Sequence, residues 1–280
     1  MTVYKGEIYG LIGCNGAGKT TMMKILSGLT ESSEGEFSIF GTTGSNAEKE
    51  KKRIGCLIEN PAFFGNLTAY QNLRYYCCLK GITNYNSIDE ALTLVGLNDA
   101  RNKKFRKFSL GMKQRLGIAF ALLDYPDLLI LDEPINSLDP LGISQLRETF
   151  RRLSDERNIT LIISSHILSE LYSLATNFLF IDKGKILKEV TKQELDLECR
   201  RCLVIKTEDI KKTAAILEQK LDITDYKVTD THELRIYSDS VKSDVINSVL
   251  LKNDVSVSGI FESGLSLEDY FKQLIREVQL

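Results

Sequence analysis

The amino-acid sequence predicts an α/β fold with an inserted helical subdomain and a small α+β module at its C-terminal end. Near-continuous apolar runs at 128–131, 160–163 and 178–181 are typical of strands in the centre of a sheet that helices cover on both faces. Helical segments alternate with these strands along the first part of the chain, which favours α/β architecture.

The first predicted elements flank a glycine-rich turn. Residues 7–13 predict a buried strand, and a helix is expected over 18–29, where apolar side chains recur at helical spacing. Residues 53–58 predict a second strand. From about 61 to 123 the pattern is helical, and we interpret this stretch as an insertion with helices over 67–79, 87–95 and 111–124.

The chain beyond residue 195 has a different order of elements. Strand, helix, two strands, helix, strand and a final helix follow one another, which fits a ferredoxin-like α+β module. We therefore expect two domains, 1–195 and 196–280. The elements of the second are predicted at 203–207, 209–220, 226–229, 233–237, 240–252, 255–261 and 266–278.

Composition and charge exclude several classes of protein. The 280 residues are 43% apolar and 26% charged, which is ordinary for a globular protein. The formal net charge is −2, so we expect no nucleic-acid partner. No apolar run approaches the roughly 18 residues of a membrane-spanning helix, and Glu7 interrupts any signal-peptide pattern. We expect a cytoplasmic chain that reaches a membrane through a partner.

One pair among the six cysteines, Cys199 and Cys202, has CxxC spacing. Because there is no second CxxC and the chain has only two histidines, two reduced thiols are the favoured interpretation. A zinc or redox site is the alternative. The short basic runs 200–201 and 211–212 are expected to be solvated surface.

The most specific motif is GxxxxGK[ST], between the first predicted strand and helix. Its glycines allow successive backbone N–H groups to face a phosphate, and the helix N-terminus adds favourable partial charge. Lys19 is expected to reach the β- and γ-phosphates, and the Thr20 hydroxyl to bind Mg²⁺. The motif predicts a P-loop NTPase core that binds nucleotide phosphates through Gly13, Cys14, Asn15, Gly16, Ala17, Gly18, Lys19, Thr20 and Thr21.

Two carboxylates follow the apolar run 128–131. An α/β sheet presents functional groups at the carboxyl ends of its strands, which is where Asp132 and Glu133 are expected. Asp132 would hold the metal, and Glu133 would orient or deprotonate the attacking water. Acidic turns after buried strands are common, so the two carboxylates indicate a catalytic site only together with the glycine loop.

A third segment, Phe108–Arg115, separates families of P-loop proteins. It resembles the LSGGQ signature of ATP-binding cassette (ABC) proteins, with Leu110 in place of the first glycine and Met112 in place of the glutamine. The resemblance covers residues 1 to about 200. It includes a segment similar to the D-loop at 137–140 and one similar to the switch histidine at 164–166.

The resemblance implies a pair of cassettes that close head-to-tail on two ATP molecules. Ser109 and Gly111 of one chain, within the signature of Ser109, Leu110, Gly111 and Met112, would then contact the γ-phosphate that Lys19 of the other chain holds. Asp139 would communicate across that interface, and His166 would sense the γ-phosphate and support Glu133. Closure and reopening would do mechanical work on a membrane partner.

Glu59 departs from the usual pattern of the family. ABC cassettes usually have glutamine here, a residue that contacts Mg²⁺ and water and links to the transmembrane subunit. A carboxylate is expected to bind Mg²⁺ more strongly but to repel the γ-phosphate if it is unpaired. This loop resembles that of ATPases of the bacitracin-resistance and lantibiotic-immunity group; drift within a general exporter ATPase is the alternative.

The N-terminal end also differs from the family. Cassettes normally begin with two antiparallel strands that carry an aromatic residue stacked on adenine, whereas only 12 residues precede Gly13 here. We expect that these strands are absent or that the start was assigned at an internal methionine, and we assign no adenine-stacking residue.

The sequence therefore predicts an ATP-hydrolysing subunit of an ABC exporter of drugs or peptide antibiotics. It would be peripheral on the inner face of the cell membrane, bound to integral-membrane permease subunits, and would form a homodimer or cassette pair on binding ATP. The C-terminal module would be regulatory or support the dimer. Alternatives are an exporter ATPase for another cargo, such as polysaccharide or ions, and a non-transport ABC protein.

Overall fold

A six-stranded and a four-stranded β-sheet, each with its own helices, organise the chain. The computed structural model describes residues 1–43, 47–59, 62–136, 138–200, 202–230, 232–237, 242–264 and 266–278. Contacts divide the chain into two units, formed mainly by residues 1–192 and by residues 193–276. Within the described ranges, no helix is both long and apolar enough to cross a membrane.

The first unit contains eight described strands. They are β1 (Ile8–Ile12), β2 (Ser38–Ile39), β3 (Thr42–Thr43), β4 (Ile54–Leu57), β5 (Leu128–Leu131), β6 (Thr160–Ser164), β7 (Asn177–Asp182) and β8 (Lys185–Thr191). The main sheet has the order β4-β5-β6-β1-β7-β8, in which all neighbours are parallel except β7 and β8, and β2 pairs with β3 separately. The α/β core with a mainly parallel sheet is confirmed.

Helices cover both faces of this sheet. The helices of the first unit are α1 (Lys19–Leu26), α2 (Ala47–Glu50), α3 (Ala69–Lys80), α4 (Asn86–Leu94), α5 (Leu110–Leu122), α6 (Pro140–Asp155) and α7 (Leu168–Leu174). Of these, α1, α5, α6 and α7 pack on the main sheet, α2 contacts the β2–β3 hairpin, and α3 and α4 pack on each other and on α5. Met23 of α1 packs with Tyr9 and Leu11 on one face of β1. On the other face, a side chain at Gly10 would meet Leu171 of α7 within 2.7 Å, so α7 lies directly against the strand. Burial on both faces explains the continuous apolar runs of these strands.

The helical insertion begins with a segment held by a buried amide. Asn72 of α3 is fully buried; its Nδ2 donates to the carbonyl of Thr68 (2.9 Å), and its Oδ1 accepts from the amide of Phe64 (2.8 Å). Thr68 caps α3 in a capping box with Gln71. These bonds fix the chain between Phe64 and α3.

The second unit is built around the four-stranded sheet. Its elements follow α8 (Lys192–Cys199) and are β9 (Cys202–Thr207), α9 (Ile210–Leu221), β10 (Tyr226–Asp230), β11 (Glu233–Ile236), α10 (Ser243–Lys252), β12 (Val257–Ser263) and α11 (Leu267–Val278). The order β10-β11-β9-β12 with antiparallel neighbours is the ferredoxin-like arrangement. Apolar residues of α9 and α10 pack on Ile205, Leu234 and Ile236 of one face.

Several elements were missed by the sequence prediction. Strand β8 is mostly exposed and antiparallel at the edge of the sheet, so it lacks the apolar run of the central strands. The start of helix α6 could have been predicted, because Asp139 is its N-cap and Pro140 occupies its first turn. The β2–β3 hairpin, α7 and α8 are short or only partly buried.

Candidate nucleotide-binding site

The glycine loop joins β1 to α1 at the carboxyl end of the main sheet. Gly18 has φ 105°, a conformation that side-chain-bearing residues rarely adopt, and a Cβ at Gly13 would lie 2.6 Å from the carbonyl oxygen of Ile181. The loop is closed by a hydrogen bond from the amide of Ala17 to the carbonyl of Cys14 (3.1 Å). Of the other loop residues, Cys14, Asn15 and Gly16 are exposed, as is Thr21 in the first turn of α1.

Lys19, the first residue of α1, is only 7% exposed although it is charged. Its Nζ donates to the carbonyl oxygens of Gly13 (2.6 Å) and Cys14 (3.2 Å). A buried ammonium needs such acceptors, and phosphate oxygens are stronger ones than neutral carbonyls. The ammonium is thus held inside the loop, within reach of whatever anion the loop binds.

Thr20 and Asp132 are brought together although they are far apart in sequence. The Thr20 hydroxyl donates to Oδ2 of Asp132 (2.7 Å), and the Ser164 hydroxyl donates to Oδ1 (2.5 Å). Asp132 follows β5 directly, and its amide donates to the carbonyl of Leu57 (2.8 Å) on the neighbouring strand β4. The strand order therefore delivers the carboxylate to the start of α1.

Hydroxyl and carboxylate oxygens are the ligands that Mg²⁺ prefers, with one or two protein oxygens completed by phosphate and water. The adjacent oxygens of Thr20 and Asp132 fit that requirement. In the described part of the chain, no group of three or more His, Cys, Asp or Glu side chains is arranged to hold a metal ion.

Glu133 and His166 form the second pair predicted from the sequence. Oε2 of Glu133 lies 2.9 Å from Nδ1 of His166 and accepts the His166 amide at 3.2 Å. Glu133 has φ 50°, which costs a non-glycine residue roughly 1–2 kcal/mol. The Ser164 hydroxyl accepts the Glu133 amide (2.9 Å) and Gln114 donates to its carbonyl (3.3 Å), which holds this conformation.

The signature segment starts helix α5. Ser109 is the N-cap, and its Oγ accepts the Met112 amide (3.3 Å). Leu110 is 60% exposed, whereas Gly111 and Met112 are half buried. The helix N-terminus and its exposed cap thus form a surface suited to an anion, although the same residues also serve to cap the helix.

Glu59 lies after β4 and forms an ion pair that sequence reasoning missed. Its Oε1 is 2.7 Å from Nζ of Lys24, a residue of α1. This hydrogen bond and the charge of Lys24 lower the pKa of Glu59 below its ordinary value. Glu59 also has a positive φ (63°). The carboxylate is therefore ionised and already paired; Asn60 and Pro61, the next residues of this loop, lie outside the described residues.

Asp139, the D-loop residue, is the exposed N-cap of α6, and its Oδ1 accepts the Gly142 amide (2.9 Å). Ser137 of the same segment is not among the described residues. Sequence reasoning also left Ser164 without a role, yet it contacts both Asp132 and Glu133. A polar residue at the end of the buried strand next to β5 was the available signal.

A glycine loop on a helix N-terminus, facing the carboxyl end of a parallel sheet and a Thr–Asp pair, defines a nucleotide-binding protein of the P-loop class. A family model described as "ABC transporter" matches residues 1–136. The chain is 45% identical over 276 residues to the bacitracin transport ATP-binding protein BcrA of Bacillus licheniformis, covering 98% of this chain and 90% of that protein. It therefore belongs to the ABC transporter ATP-binding family.

Other relatives agree with that assignment. The lantibiotic transport ATP-binding protein SrtF of Streptococcus pyogenes is 46% identical over 189 residues, covering 68% of this chain and 81% of that protein. Among solved structures, a dimeric bacterial ABC transporter cassette matches with TM-score 0.62 and 23% identity, over 69% of this chain and 88% of that one. At 23% identity, the match to this solved structure supports the fold alone.

Proposed function

We propose that the chain is the ATP-hydrolysing subunit of an exporter that removes peptide antibiotics through separate permease subunits. The observation that carries the catalytic part is the placement of Glu133, whose carboxylate is bonded to His166 beside the Thr20–Asp132 pair. The cargo is inferred from two relatives named for bacitracin transport, one from B. licheniformis and one from Enterococcus faecalis. They are 45% and 42% identical to this chain over 98% of its length.

ATP would bind with its phosphates in the loop Gly13–Thr20. The Lys19 ammonium would exchange the carbonyls of Gly13 and Cys14 for phosphate oxygens, a stronger charge-assisted contact. Backbone N–H groups of the loop and of the first turn of α1 would supply the remaining donors. Thr20 and Asp132 are the residues that would hold Mg²⁺, with Glu59 as a further candidate; the ion would neutralise charge that develops on the phosphates.

Glu133 is the proposed general base. Its Oε2 is engaged by His166, and within the described residues no hydrogen bond is made to Oε1, which leaves that oxygen for the attacking water. The water would give its proton to the carboxylate as its oxygen attacks the γ-phosphorus, and the bond to ADP would break. His166 would keep the carboxylate oriented and would contact the γ-phosphate.

A second chain would complete the site. Ser109 and the backbone of Gly111, at the N-terminus of α5, would contact the γ-phosphate bound by the partner, and Asp139 would lie at that interface. We further propose that residues 1–195 form the ATPase domain, that 196–280 form an accessory module, and that the cassette docks on the inner face of the cell membrane through the permease.

The cargo is tested in cells by replacing the gene with a Lys19→Ala variant. We expect sensitivity to bacitracin or a lantibiotic to rise, with no change for an antibiotic of unrelated class. The matched control is Lys49→Ala, an exposed lysine of α2. If Lys19→Ala leaves resistance to peptide antibiotics unchanged while it abolishes ATP binding, the chain serves another cargo.

A further inference from the structure

The second unit contains a cavity of about 580 Å³ that no motif predicted. Small-molecule sites commonly have volumes of 300 to 1,000 Å³, so this cavity has the size of a ligand site. Charged, aromatic and apolar side chains line it, among them Leu197, Arg200, Lys227, Arg235, Tyr237 and Tyr270.

Two cations in the cavity wall are cross-strand neighbours. Lys227 of β10 and Arg235 of β11 are directly opposite each other in the antiparallel register, so both side chains lie on the same face of the sheet. Like charges at such positions destabilise the strand pair. An arrangement of this kind is stabilised when an anion lies between the two cations.

The carboxylates nearby do not satisfy both cations. Arg235 uses its Nε for Glu233 (3.0 Å), and Asp225 is paired with Arg200 (2.8 Å). Lys227 is exposed, and it has no ion pair with any residue that the structure describes. The terminal NH groups of Arg235 likewise make no hydrogen bond within the described chain. Their fork matches two oxygens of a phosphate, with Lys227 as an adjacent point charge.

The rest of the wall is mixed, with Glu198, Arg200 and Asp225 beside aromatic and apolar side chains. Tyr237 follows Arg235 by two residues and so shares its face of the sheet, and its ring centroid lies 5.1 Å from the Arg200 guanidinium. Tyr270 of α11, which is 5% exposed, and Leu197 of α8 also line the cavity. A ligand that fills the cavity therefore needs an apolar or ring-bearing part next to its charged end.

We propose that this cavity binds a small organic phosphate monoester. The phosphate would lie between Lys227 and Arg235, and the organic part would pack on Tyr237, Tyr270 and Leu197. The site is independent of the glycine loop, and the proposal does not depend on the function proposed above. The same phosphate chemistry is found in soluble metabolites and in the headgroup of phosphatidic acid.

Phenyl phosphate is the first probe, titrated calorimetrically into the full chain while a non-hydrolysable ATP analogue and Mg²⁺ occupy the glycine loop. We expect saturable binding that Lys227→Gln weakens about tenfold, the loss of one charge-assisted contact. Inorganic phosphate and benzyl alcohol, which each carry half of the recognised chemistry, should bind more weakly. The control is Lys211→Gln, an exposed lysine of α9 that does not line the cavity.

Melting of the ligand-free variants separates this role from a structural one. Lys227→Gln should be as stable as the parent protein or more stable, because it removes the like-charge contact with Arg235. It should also lose the stabilisation that phenyl phosphate gives the parent. Equal binding by Lys227→Gln and the parent, or no saturable binding by the folded parent, would overturn the proposal.

Vesicles distinguish the two sources of the phosphate. Sedimentation with phosphatidic acid vesicles, but not with phosphatidylcholine alone, that depends on Lys227 and not on Lys211 would identify a lipid headgroup. Binding of phenyl phosphate without vesicle binding would identify a soluble ligand. Failure of both by the folded protein contradicts the proposed site.

Discussion

The two larger sheets of this protein position charged residues in different ways. In the parallel sheet they lie at the carboxyl ends of strands, where the glycine loop, Asp132 and Glu133 meet. In the antiparallel sheet they lie on a face, where Lys227 and Arg235 are cross-strand neighbours. The residues of a site at strand ends are adjacent in sequence and form short motifs. The residues of a site on a sheet face come from several strands, at alternate positions along each strand.

The largest effect is expected from Glu133→Gln at the strand-end site. ATP binding should persist, because Lys19 and the loop are intact, while turnover falls by roughly 10² to 10⁴, the usual contribution of a general base. The measurement is phosphate release at saturating Mg-ATP beside a nucleotide-binding titration. Glu148→Gln, at an exposed residue of α6, is the matched control. Near-normal hydrolysis by Glu133→Gln would remove Glu133 as the base.

The next effect concerns the CxxC pair of the second unit. Burial first, and then the charges of Glu198 and Asp196, raise the pKa of Cys199 to about 11, and burial also raises the pKa of the Cys202 thiol. Only the thiolate is alkylated, so iodoacetamide labelling of Cys199 should rise roughly tenfold per pH unit from pH 7 to beyond pH 9.

Peptide mass spectrometry after timed alkylation measures these rates. The exposed Cys14 in the glycine loop is the comparison, and nucleotide in the loop should protect it. A labelling rate for Cys199 that levels off near pH 8 would mean an activated thiol. That result would favour the redox or zinc interpretation over two reduced thiols.

A smaller effect is expected from Ser109→Ala. Loss of the N-cap should cost about 1 kcal/mol of stability, and Ser266→Ala, which removes the cap of α11, should cost a similar amount. Only Ser109→Ala should also weaken ATP-dependent pairing and turnover, by about tenfold. If the two variants have equal turnover and equal pairing, Ser109 is a helix cap and nothing more.

The smallest effect on the isolated chain is expected from Glu59→Gln. The exposed pair with Lys24 contributes little stability, so the melting temperature should not change. The ATPase rate should stay within about twofold of that of the parent. Because folding lowers the pKa of Glu59, the pair contributes its full stability at any pH above the ordinary glutamate pKa. It is lost only as the pH falls below roughly 4.3, so Glu59 adds no pH dependence near neutrality.

The informative readout for Glu59 is resistance in cells that contain the permease. We expect Glu59→Gln to lower resistance to peptide antibiotics, with Glu31→Gln, in an exposed loop, as the control. Unchanged resistance would mean that the carboxylate is drift within a general exporter ATPase.

The same contrast explains how far the sequence could predict this molecule. The contiguous motifs predicted the loop at Lys19, the Asp132–Glu133 turn and the helix start at Ser109, because local geometry follows from adjacent residues. The contact between His166 and Glu133 was expected only through the family resemblance. The Lys24–Glu59 pair and the Ser164 contacts depend on which strands and helices become neighbours, which no local pattern encodes.

The cavity of the second unit was unpredictable for the same reason. Lys227 and Arg235 are eight residues apart, and only the register of β10 and β11 makes them neighbours. The basic run at 200–201 was expected to be solvated surface. Arg200 is indeed exposed, but it also lines the cavity and pairs with Asp225, which the run did not indicate; Arg201 lies outside the described residues.

The central claim is that two copies of this chain close on ATP through the loop of one and the signature of the other. The most direct test is the solution mass of Glu133→Gln by light scattering, with and without Mg-ATP. We predict a shift from 31.6 kDa to roughly twice that mass on adding nucleotide, and adding Ser109→Ala to the same chain should raise the protein concentration needed for this shift about tenfold. A mass that stays at that of the monomer while ATP is bound would contradict the claim.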